Sequence, residues 1–142
     1  MSAQGDGPVR FAGYAAIFNR LDQGGDIIAP GAFAASLSGS GGRGLPLLWQ
    51  HRAGAVIGHI ERVEEDARGL RVIGSISAAD ATGRQAGAML RAARIDGLSF
   101  GYRVMAAQGG RPRRLEALDL VEVSLVSHPM QPLARVHAVE AG

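Results

Sequence analysis

The chain has 142 residues, 46% hydrophobic and 20% charged, with a formal net charge of +2. That length suits one domain around one core over residues 1–142, and that charge is too small to argue by itself for nucleic-acid binding. Cysteine is absent, which excludes disulfides, thiolate metal sites and cysteine nucleophiles; no apolar run reaches the roughly 18 residues of a membrane span, and Met1 to Gly7 lacks the basic and apolar segments of a signal peptide.

In chain order, Val9–Phe18 mixes aromatic and small apolar residues and reads as a strand ending at Asn19. A short helix begins at Pro30 in PGAFAASL, with proline as an early helical residue. Ser36–Gly44, SLSGSGGRG, is a flexible loop by composition. Leu45–Gln50 is a short apolar strand. Ala55–Glu64 alternates, with Val56, Gly58, Ile60 and Arg62 on one side and Ile57, His59, Glu61 and Val63 on the other. Gly69–Ser77 puts Leu70, Val72, Gly74 and Ile76 on one face. Asp80 can cap a helix running to about Arg94, with Ala86, Met89, Leu90 and Ala93 at helical spacing and Gly97 just beyond its end. Leu98–Met105 and Leu118–Val126 are strands around a hairpin loop at Gln108–Arg114, and Ala134–Val139 closes the set. Strands this close in sequence favour antiparallel pairing, so the class is mostly β (α+β), a barrel or sandwich with a few helices.

Three segments carry candidate chemistry. His51 ends an apolar strand and precedes a polar turn; imidazole there can take and return a proton near neutral pH, or merely hydrogen-bond the turn. Ser99 stands in GLSFG, where Gly97 and Gly101 leave no Cβ two residues away on either side and open an approach for a substrate backbone. Serine needs an adjacent base to act as a nucleophile; otherwise it is a small strand residue. The same string fits G-x-S-x-G, but that elbow requires a strand before the serine and a helix after it, the reverse of the order here. In LDLVEVSLVSHP, Leu118, Leu120, Glu122, Ser124 and Val126 share one face, so Glu122 is an acid inside an apolar strand. Burying it is costly unless it is paired. A histidine partner would satisfy it, as would an arginine or exposure to solvent. His128 lies close by as a rival. No metal or phosphate site is expected: H-E-x-x-H spacing is missing, and GSGGRG lacks the lysine and hydroxyl of a Walker loop. All the basic residues are arginine and they are scattered along the chain, which fits coding bias better than a binding stripe.

Taken together, GYAAIFNRLDQGGDIIAPGAF (13–33), LLWQHRAGAVIGHI, GLSFGY and LVEVSLVSHPMQPLARV (120–136) resemble the tailed-phage prohead maturation protease family, itself related to the herpesvirus assemblins. The closing segment departs from the family's usual Ala and Asn around its proline. The resemblance implies an assemblin-like, antiparallel β-barrel-like core with flanking helices. It implies a serine endopeptidase with Ser99 as nucleophile and His51 as general base, and no cofactor. The third member is Glu122, with His128 as the alternative because assemblins use a second histidine. Backbone amides near Ser99, or Arg135, are candidate oxyanion donors. The implied substrates are the major capsid protein precursor, its scaffold segment and the protease itself, inside the assembling prohead in the host bacterial cytoplasm. Self-association is left open. Two rivals follow from other classes: a non-enzymatic capsid scaffold or decoration protein on a similar β fold, and a nucleic-acid-binding barrel using Arg111–Arg114, RPRR. With one Trp, two Tyr and four Phe, mostly in core-like segments, the second has few aromatic rings for bases to stack on.

Overall fold

A computed structural model describes residues 7–38 and 44–140. Eight strands and two helices follow one another: β1 (Val9–Ile17), β2 (Asp26–Ile28), α1 (Ala34–Leu37), β3 (Pro46–Trp49), β4 (Arg52–Glu65), β5 (Gly69–Ile76), α2 (Ala81–Arg91), β6 (Gly97–Gln108), β7 (Arg113–Val126) and β8 (Val136–Val139). The strands form one sheet in the order β2-β7-β3-β4-β5-β1-β8, with β6 along the other edge of β7. The mostly-β reading holds. Of the loop expected over 36–44, residues 39–43 lie outside the described residues, and Ser36 and Leu37 belong to α1.

The sheet curls into a barrel because a short segment bridges its two ends. Leu98 N–H donates to Ala134 O (2.9 Å) and Val136 N–H to Asp96 O (2.8 Å), while Tyr14 N–H donates to Arg135 O (3.1 Å). Residues 134–136 therefore lie between the start of β6 and β1, and β8 continues the pairing along β1. Inside, Phe33, Leu47, Ile60, Leu70, Leu98 and Leu125 are almost fully buried; such side chains supply most of the folding drive, about 1.5–3 kcal/mol each.

Most pairs are antiparallel, as expected, but two are not. β3 and β2 both run parallel to β7, since long stretches of chain, not hairpins, connect them. The three-residue β2 is too short to leave a period. In β4 the two-faced alternation fails: Ile57, Ile60 and Val63 are buried, three residues apart. Register shifts flank Ile57 against β3 and Glu61 against β5, and each extra residue turns the following side chains to the other face.

Helix α2 is capped as expected, Asp80 Oδ1 accepting from Gly83 N–H at 2.9 Å. It buries Gly83, Ala86, Gly87 and Leu90, and Ala93 is exposed. A Cβ at Gly83 would strike Ser77 O, so that glycine lets the helix lie against the end of β5. The stop is Ala93, not Gly97. Ala93 has φ +57, and its N–H donates to Leu90 O while Arg94 N–H donates to Met89 O, the paired bonds of a Schellman end.

Candidate active site

β7 is the spine of the site. Along one edge Ser99 on β6 faces Ser124, and Gly101 faces Glu122. Along the other, Leu48 on β3 faces the same Ser124. Beyond β3 the chain turns back through Gln50 and His51, with Trp49 paired to Arg52. Both turn residues have positive φ, +53 and +61, the backbone of a type I′ hairpin, whose twist matches that of the strands it joins. Neither is Gly or Asn, so the turn carries strain of order 1–3 kcal/mol per residue. Gln50 holds it in place: its N–H donates to Leu125 O (3.0 Å), its Nε2 donates to Ser127 Oγ (2.7 Å) and its Oε1 accepts from Ser127 N–H (3.0 Å).

This tip carries His51 over the Glu122 carboxylate, with Nδ1 2.7 Å from Glu122 Oε1. A carboxylate only accepts, so Nδ1 carries the hydrogen and Nε2 is left with a free lone pair. The other oxygen, Oε2, accepts from Ser124 Oγ at 2.6 Å, and Ser124 is fully buried. The hydrogen bond it donates to Glu122 pushes the pKa of the His51 imidazole above its ordinary value; burial opposes this and the charge on Glu122 adds to it. Ser99 and His51 line one cavity together with Ala15, Asp22, Phe100, Tyr102, Met130 and Gln131. Ser99 is 7% exposed and its hydroxyl has no hydrogen-bond partner among the described residues. In ligand-free enzymes that bond often tightens only when substrate arrives.

Several expected features are placed differently. The glycines flanking Ser99 do not open an approach: a Cβ at Gly97 would meet Val126 O and Pro129, and one at Gly101 would meet the Glu122 carboxylate. They are small so that the neighbouring chain and the acid fit. His128 is exposed in the turn after β7, whereas Glu122 holds the hydrogen bond to His51. The Arg135 guanidinium donates to Pro132 O and Asp96 Oδ1, both at 2.8 Å, and does not line the cavity.

Other residues went unread in the sequence. Ser124 shares Glu122's period-two face, which was the available signal. Gln131 pins the loop after β7 to β1, its amide donating to Ile17 O and accepting from Ile17 N–H, each at 2.8 Å. Among the described residues no cluster of His, Cys, Asp and Glu could hold a metal ion.

A family model, that of the caudovirus prohead serine protease, matches residues 1–142. The chain belongs to this family. A related sequence is the prohead protease of Enterobacteria phage HK97, 28% identical over 138 residues; the match covers 92% of this chain and 60% of the phage protein. Among solved structures, the Kaposi's sarcoma herpesvirus (KSHV) protease bound to a hexapeptide phosphonate inhibitor is similar at a TM-score of 0.66 and 13% identity, over 95% of this chain and 66% of that one. The varicella-zoster virus protease follows at 0.59 and 17%, over 95% and 65%. The chain thus spans less than two thirds of the length of these proteins, and the two structures establish that the fold is assemblin-like.

Proposed function

We propose that the chain is a serine endopeptidase that cleaves capsid and scaffold precursors, and copies of itself, within the assembling prohead. The observation that carries this reading is the Glu122–His51 pair at 2.7 Å beside a cavity that also holds Ser99, in a chain of the prohead protease family. Ser99 Oγ attacks the scissile carbonyl while His51 Nε2 takes its proton. Glu122 holds the imidazole in the tautomer this requires and stabilises the imidazolium. The tetrahedral intermediate collapses as His51 protonates the leaving amine, and water, activated by the same imidazole, releases the acyl group. A positioned general base supplies about 10²- to 10⁴-fold.

The test is Ser99→Ala. The variant is expected to keep its fold by circular dichroism, to stop processing capsid precursor and to lose covalent labelling by a fluorophosphonate. Unchanged precursor cleavage by this variant would overturn the assignment of Ser99. Absence of labelling in the unsubstituted protein would favour a non-enzymatic capsid component.

A further inference from the structure

The cavity holding Ser99 and His51 has a volume of about 80 Å³. Liquid water occupies roughly 30 Å³ per molecule, so the space admits the end of one side chain. Ala15, Phe100, Tyr102 and Met130 give it apolar and aromatic walls. Its polar lining, apart from Ser99, His51 and the neutral Tyr102 hydroxyl, is Gln131 and Asp22. The Gln131 amide is spent on both sides of Ile17, which leaves Asp22.

Asp22 is 8% exposed. Its Oδ1 accepts from Gly24 N–H (2.8 Å) and Asp26 N–H (2.9 Å), which fixes the carboxylate in its turn. It has no ion-pair partner among the described residues. The neighbouring cation, Arg113, is committed through two 3.0 Å bonds to Asp26. An unpaired carboxylate taken out of water is costly, and here it lines the same small space as the nucleophile.

From this cavity, and resting on the protease reading above, we propose that Asp22 is the specificity-determining residue of the site and receives a lysine side chain flanking the scissile bond. The methylenes lie along Phe100, Tyr102 and Met130 while the ammonium reaches the acid, the usual division for a lysine stem and head. The Tyr102 ring adds an electron-rich wall that attracts a cation. An ammonium is compact, whereas a guanidinium is a planar fork that needs more room. The chain itself contains arginine but no lysine, so such a site does not cut within residues 1–142.

The experiment measures covalent inactivation of the full chain by two peptidyl diphenyl phosphonates, one with a lysine side chain and one with the neutral isostere norleucine. A charge-assisted contact to a buried acid predicts a lysine-to-norleucine rate ratio of about tenfold or more. Asp22→Asn should bring the ratio close to one. Because each ratio is taken within a single protein, a general loss of reactivity cancels. Asp22→Ser keeps an oxygen for the Gly24 and Asp26 amides and repeats the test if the Asn variant does not fold. A ratio near one in the unsubstituted protein overturns the proposal, as does a ratio that survives at Asp22→Asn or Asp22→Ser. If neither phosphonate nor a simple fluorophosphonate reacts, it is the protease reading that fails.

Discussion

Glu122 is tied on both sides: Oε1 meets His51, Oε2 takes the Ser124 hydroxyl, and the bare backbone of Gly101 leaves room for the carboxylate. Because Glu122 raises the imidazole's affinity for a proton, and because a base must be unprotonated to act, reactivity should climb as pH rises through that elevated value. Glu122→Gln replaces the charge-assisted hydrogen bond that chiefly raises it with a neutral one, and removes the charge that adds to it. The acid limb of the labelling-rate profile should then move to lower pH, and the plateau should fall about 100-fold or more because the useful tautomer is no longer enforced. A profile that keeps its acid limb in place would show that Glu122 does not act on His51. The sequence made Glu122 legible because an acid in an apolar strand has few affordable fates. Asp22 was not legible as a site residue, since nothing local says that its segment folds against residue 99.

At the level of elements, the backbone takes left-handed conformations at non-glycine residues where the turn demands them. Ala93 ends α2 in that way, with its Cβ in an unfavourable place. Ala93→Gly should stabilise the protein by about 1 kcal/mol, seen as a higher denaturation midpoint at unchanged slope; a lower midpoint would mean that the Cβ makes contacts worth more than its strain. The strands were legible from their period of two, and on β7 Leu118, Leu120, Glu122, Ser124 and Val126 are all buried, although Val123 and Leu125 are buried too and a register shift against β6 lies at Val121. β4 lost its parity because register shifts re-aim its side chains, and sequence alternation cannot show where an extra residue will bulge. The β3–β7 pairing was hidden for a related reason: it joins segments far apart in the chain, and its register is set by packing.

On the scale of the molecule, composition and strand spacing were enough for the fold class, while closure was not visible. Ala134–Val139 reads as one more closing strand, yet only its last four residues form β8. Its first residues are held on both sides, to Leu98 on one and Tyr14 on the other. If so short a splice completes the barrel, Ser99 labelling and far-ultraviolet dichroism should be lost along one coincident urea transition. Labelling that disappears at lower urea than the dichroism would mean that the site melts as a separate unit.

That splice has an implication for how activity can be switched. The residue next to Ser99 is hydrogen-bonded to a segment that is itself fastened to the opposite wall, so the closure of the barrel and the placement of Ser99 depend on the same few bonds. On the protease reading, whatever opened the barrel at this splice would also displace the attacking hydroxyl.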